Sequence, residues 1–242
     1  MNLLDTALLT VVAATIVGVF SSNDVLAEPP KLYSELTKFV QQRESEFDRI
    51  SSERKVQLEQ LSDYLRQFRD SGSPARLLFV CTHNSRRSHM SQLWAAVAAV
   101  HFRMKNVETF SGGTERTAFN PRAVAAMQRA GFKVQVKEPG DNPTYLVSFA
   151  DTSEPQVCFS KIYSDVANPV ADFCAVMTCS SADKSCPNVK GTVKRIAIPY
   201  EDPKIADNTE EEVNRYDERS AQISREILYA FFRATQTERP GD

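Results

Sequence analysis

Residues 76–88 read as a strand that runs straight into a helix. The apolar run Arg76-Leu-Leu-Phe-Val80 stops at Cys81, six polar residues follow, and from Ser88 to Phe102 apolar residues recur at helical spacing. A run without alternation suits a strand buried on both faces of a parallel sheet. Further extended segments at Val107–Phe110, Phe173–Thr178 and Val193–Ile198 supply a second, third and fourth strand. Between and after them lie a helix over Pro121–Arg129, with proline in its first turn, and a long one over Glu210–Thr235. Strands alternating with helices predict an α/β domain.

The flanks are of other material. Ala7 to Phe20 carries no charge, and Val25-Leu-Ala27 precedes Glu28-Pro29. Small residues at the first and third places of that triplet fit cleavage after Ala27. The run is shorter than the roughly 20 residues that span a bilayer. Residues 1–27 therefore read as a signal peptide of an exported, periplasmic protein, although Asp5 is present and no Lys or Arg precedes the apolar core. An uncleaved membrane anchor and a mis-assigned start codon are the alternatives. Residues 28–72 read as a helical extension, with Phe39, Val40, Phe47 and Ile50 and then Leu58, Leu61, Leu65 and Phe68 forming an apolar stripe, closed by Ser71-Gly-Ser-Pro74. Residues 73–238 form the α/β domain. Within it, Tyr145–Phe149 and Gln156–Ser160 flank a turn at Asp151–Pro155 and predict a β-hairpin insertion.

The formal charge of −2 leaves no basic field for nucleic acid. Five cysteines are too few for a disulfide scaffold, and they are unevenly placed: Cys81 stands alone, while Cys158, Cys174, Cys179 and Cys186 fall late. The histidines His83, His89 and His101 lie away from the late cysteines, so no metal site is expected.

The junction at Cys81 has a chemical reading. A short loop between strand and helix turns backbone N–H groups inward, and the helix start adds positive partial charge. Thr82, His83, Asn84, Ser85, Arg86, Arg87 and Ser88 can thus line a cup for a tetrahedral oxyanion. Arg87 can grip two oxygens with its planar fork. The same field stabilises a thiolate at Cys81, and Ser88 can donate to it. Asn84 tolerates the left-handed backbone that a tight cradle needs. The plainer reading makes Cys81 a buried strand-end cysteine and Arg87 a surface residue.

The motif Phe79-Val-Cys-Thr-His-Asn-Ser-Arg-Arg-Ser88 resembles the signature of the low-molecular-weight tyrosine phosphatase superfamily, which includes the thioredoxin-coupled arsenate reductases. Ser111-Gly-Gly-Thr-Glu115, Asn120-Pro121, Asp202-Pro203 and Arg215-Tyr-Asp-Glu218 continue the likeness in order, over roughly 75–235. The resemblance implies a four-stranded parallel sheet with helices on both faces, of flavodoxin-like, phosphotyrosine phosphatase I type. Two positions depart from it. His83 stands where glycine is common, and Arg86 stands where a second cysteine is common, its side chain expected to point outward at the mouth.

Two activities share these parts. A phosphatase transfers phosphoryl to Cys81 and needs an acid for the leaving oxygen, a role Asp202 suits; its plainer role is to start a turn before Pro203. The aromatic residues that tyrosine phosphatases of this superfamily place after Asp-Pro are replaced by Lys204-Ile-Ala. A reductase needs two more thiols. Cys179-Ser-Ser-Ala-Asp-Lys-Ser-Cys186, with Pro187 next, looks like the mobile redox segment of the arsenate reductases. Its polar content and lack of apolar anchors suit a loop that moves. A structural Cys179–Cys186 disulfide is the competing reading in an oxidising compartment. Arsenate reduction through Cys81, Cys179 and Cys186 is the leading expectation, with no bound cofactor and an external thioredoxin-like reductant. Phosphomonoester hydrolysis through Cys81 is the alternative, and a non-catalytic oxyanion-binding protein the third. A membrane is a partner only if the N-terminal segment stays attached.

Overall fold

The computed structural model describes residues 29–185 and 189–236. The segment read above as a signal peptide, and Cys186 with Pro187, lie outside the described residues. Four strands form a parallel sheet in the order β2-β1-β6-β7: β1 Ala75–Cys81, β2 Val107–Gly113, β6 Phe173–Met177 and β7 Thr192–Ala197. The two inner strands are the most apolar, since every residue of β6 and all but Arg76 of β1 is buried. The edge strand β7 carries Lys194 and Arg195 and leaves Val193 60% exposed.

The pleat sends successive side chains to opposite faces. Leu77 and Phe79 enter a large core; Leu78 and Val80 enter a small one. Over the large core lie α3 (Arg87–His101), α4 (Pro121–Arg129) and α6 (Glu212–Thr235). Trp94 of α3 locks this layer by donating from Nε1 to Ser220 Oγ on α6, at 3.0 Å. The residues of the N-terminal extension join the same core. Its helices α1 (Ser34–Glu44) and α2 (Ser52–Phe68) pack on α6, and Leu36, Val40, Leu58, Leu61 and Leu65 are fully buried. Each such side chain contributes about 1.5–3 kcal/mol of apolar burial. Ser51 starts α2 by accepting the Arg54 N–H.

The opposite face is thinner. Its core consists of Leu78, Val80, Phe173, Ala175 and Met177, closed by Ala182 of the short helix α5 (Ser180–Ser185), by Val189 and in part by Tyr163.

The insertion is larger than the expected hairpin. Strands β4 (Thr144–Ser148) and β5 (Gln156–Cys158) pair antiparallel around the predicted turn, but β3 (Lys133–Glu138) adds a third strand on the other edge of β4. Lys133-Val-Gln-Val-Lys-Glu buries almost nothing, so its sequence carries little hydrophobic signal.

Candidate active site

β1 ends at Cys81 and α3 begins at Arg87, so residues 82–86 must turn within one short loop. Asn84 makes the turn with φ +42, in the left-handed region. The end of β2 presses against it. A Cβ on Gly113 would meet the Thr82 carbonyl oxygen at 2.6 Å and the Asn84 nitrogen at 2.7 Å, so only glycine fits there.

The loop's carbonyls are drawn outward. That of Cys81 accepts from Thr114 N–H, that of Thr82 from Glu115 N–H, that of His83 from the Thr117 and Ser160 hydroxyls, and that of Ser85 from Asn120 N–H, all at 2.8–3.2 Å. A planar peptide whose C=O points out carries its N–H on the opposite side. The N–H groups of residues 82, 83, 84 and 86 are thereby turned toward the loop centre, above Cys81 and beside the start of α3.

A relay of side chains fixes the nucleophile's sulfur. Lys161 N–H donates to Asn84 Oδ1 at 2.9 Å, Asn84 Nδ2 donates to Ser88 Oγ at 2.9 Å, and Ser88 Oγ lies 3.1 Å from Cys81 Sγ. Because the serine oxygen already accepts from Asn84, its single proton is free to donate to the Cys81 sulfur. His89 completes the wall, stacked on Phe119 at 4.1 Å. Burial, helped by the Lys161 charge, holds its pKa well below the ordinary value, so it is neutral. Cys158 and Cys174 are buried thiols pushed up to about 12 by desolvation, and neither is reactive.

Asp202 sits across the loop between two guanidinium groups. Arg86 Nε donates to Oδ1 at 2.7 Å, and Arg87 Nη2 donates to Oδ2 at 2.7 Å. Arg87 Nη1 reaches the Tyr200 carbonyl at 2.9 Å. Burial pushes the Asp202 carboxyl up, but the hydrogen bond from Arg86 and the charges of Arg87 and Arg86 outweigh it and hold the pKa below the ordinary value. The expected outward course of Arg86 is therefore corrected. It is 8% exposed and folded onto Asp202, because a guanidinium at this depth needs a carboxylate partner.

The loop before Asp202 is held from an unexpected side. Arg54, in the N-terminal extension, donates from Nη2 to the Pro199 carbonyl at 3.1 Å and from Nε to Glu226 Oε2 at 2.8 Å. Its guanidinium covers the Tyr200 ring at 4.9 Å. Nothing local in the sequence around Arg54 points to this contact, nor to that of Lys161, because both are long-range.

Cys179 lies on the far side of Cys81. Thr178 binds the Val80 carbonyl through N–H and hydroxyl at 2.7 and 2.9 Å, which places the next residue level with Thr82. Cys179 is a free, buried thiol, with Sγ 3.5 Å from Thr82 Oγ1 and accepting Ala182 N–H at 3.3 Å. The segment expected as an unanchored loop is instead the helix α5. Ala182 is fully buried, and Arg195 binds both the carbonyl and the carboxylate of Asp183. A short helix forms because Cys179 caps its first turn. A cleft of about 840 Å³, lined by Arg87, Ser180, Tyr200, Asp202 and Ile205 among others, joins this side to Arg87 and Asp202.

No protein-family model matches the chain. An arsenate reductase of Shouchella clausii is 31% identical over 136 residues, which cover 56% of this chain and 79% of that protein. An arsenate reductase of Bacillus subtilis is 32% identical over the same shares. Among solved structures, the low-molecular-weight protein tyrosine phosphatase of T. tengcongensis is 18% identical with a TM-score of 0.43, over 63% of this chain and 95% of that one.

Proposed function

This chain belongs to the arsenate reductase branch of the low-molecular-weight tyrosine phosphatase superfamily, and from that premise we propose that it reduces arsenate to arsenite through Cys81, Cys179 and Cys186. The observation that carries the reading is the free Cys179 thiol lodged against Thr82 of the Cys81 loop. In the first step the Cys81 thiolate bonds to arsenic and an arsenate oxygen leaves as water. The Cys179 thiolate then attacks the Cys81 sulfur. The S–As bond breaks, its electron pair stays on arsenic, and arsenite departs as a Cys81–Cys179 disulfide forms. Cys186 attacks Cys179 in turn and frees Cys81, and an external dithiol protein of thioredoxin type reduces the resulting Cys179–Cys186 disulfide.

Arg87 and the inward N–H groups stabilise negative charge on the bound oxyanion in both chemistries. Hydrolysis of a phosphomonoester demands more, namely a protonated acid for the leaving oxygen. Asp202 is ionised between two arginines, so any phosphatase activity is expected to rise toward acid pH. Parallel turnover of arsenate with a thioredoxin system and of an aryl phosphate at pH 7 tests the reading. Arsenate turnover at least tenfold above hydrolysis supports it; hydrolysis without arsenate turnover replaces it with a phosphatase.

Export is part of the proposal. A mature chain starting at Glu28, identified by mass spectrometry of the periplasmic fraction, is the expected product; an intact Met1 in membranes means an anchored reductase instead.

A further inference from the structure

We infer that the cleft on the outer side of the Cys81 loop is a second anion subsite, taking a carboxylate or phosphate group of a molecule that reacts at Cys81. This rests on the reading of the loop as an oxyanion cup. The cleft holds about 340 Å³ and is lined by His83, Ser85, Arg86, Thr117, Asn120 and Lys204, together with the start of α4. Among the described residues no acidic side chain and no Phe, Tyr or Trp lines it.

Its charge is unbalanced. Arg86 and Arg87 share the single carboxylate of Asp202, which leaves one positive charge in excess at the rim. Lys204 adds another: its side chain is exposed and forms no ion pair among the described residues. His83 Nε2 lies 3.3 Å from the Glu115 carboxylate, whose negative charge offsets part of this excess. The first turn of α4, capped by Asn120 through its bond from Arg122 N–H at 2.9 Å, directs its positive end to the same place. A phenyl ring finds no flat apolar wall here, whereas an anion finds an ammonium, a guanidinium edge and the Ser85 hydroxyl, the proton of Thr117 being held by the His83 carbonyl. A simple oxyanion fills the cup alone, so the second group belongs either to an acidic substrate or to an acidic thiol reductant.

Both sources are tested on the full chain, with Lys204→Met as the variant; Lys204 touches neither Cys81 nor Arg87 among the contacts described. The first readout is the slowing of Cys81 alkylation by inorganic phosphate, methylphosphonate and phosphonoacetate. An added charge-assisted bond should make phosphonoacetate protect at roughly tenfold lower concentration than methylphosphonate. The preference should vanish in Lys204→Met, with inorganic phosphate unchanged. The second readout is arsenate turnover driven by mercaptoacetate against 2-mercaptoethanol. A Lys204-dependent advantage of mercaptoacetate, without a phosphonoacetate preference, assigns the anion to the reductant. Equal protection by the two phosphonates and no Lys204-dependent advantage of mercaptoacetate overturn the subsite. Failure of inorganic phosphate to protect Cys81 in the wild type overturns the cup, and the subsite with it.

Discussion

Two arms flank the Cys81 loop, and they are built differently. On one side Arg87 is tied to Tyr200 and Asp202, Asp202 to Arg86, and Tyr200 is overlaid by Arg54, which is itself bound to Glu226 of the long helix α6. This arm rests on the large core. On the other side Cys179 heads the six-residue helix α5, whose anchors are Ala182 and the Asp183–Arg195 pair, over the small core. The difference teaches that the anion-binding side is made to keep its geometry, while the thiol side sits where few contacts must break for it to shift.

The sharpest way to break this contrast is at Cys179. Cys179→Ser should reduce arsenate turnover to background while leaving phosphate protection of Cys81 intact. Retained turnover would mean that the thiol arm takes no part. Arg87→Lys should act on the other arm and on every anion. The loss of the bidentate fork is expected to lower kcat/KM by about 10²-fold, with weaker phosphate protection as the second readout. Arg54→Met tests whether the extension supports that arm at a distance. A slackened Pro199–Tyr200 segment should lower kcat/KM by about tenfold. A change in Tm alone, with kcat/KM unaltered, would confine Arg54 to stability.

The smallest effect concerns pH. Asp202 is held below its ordinary value of 3.8, so its contribution to stability is complete above that value and is lost as pH falls through the lower folded value. Urea unfolding at a series of acid pH values should show a shallower acid limb for Asp202→Asn than for the wild type. Equal limbs would remove the Arg86–Asp202–Arg87 bridge from the account.

The sequence made the two inner strands legible because each is apolar at successive positions, and it located the cup because a cysteine and an arginine bracket a strand-to-helix turn. It did not disclose β3, whose short alternation of Val134 and Val136 with polar residues buries only Val134, and that in part. The roles of Arg54 and Lys161 were hidden for another reason. Each acts across a separation of dozens of residues, and nothing in a local window distinguishes such an arginine or lysine from a solvated one. Arg86 was misdirected because the carboxylate that draws it inward lies more than a hundred residues away.

The three-stranded insertion ends at the residues that fasten the loop: Ser160 holds the His83 carbonyl and Lys161 holds Asn84. Anyone shortening this protein to a minimal scaffold meets a dependency there. Excising the strands 133–158 removes no residue from the reaction, yet it frees the tether of two fastenings and lengthens the search for the right loop shape. A graft of the loop onto another α/β frame must carry the insertion's last residues with it.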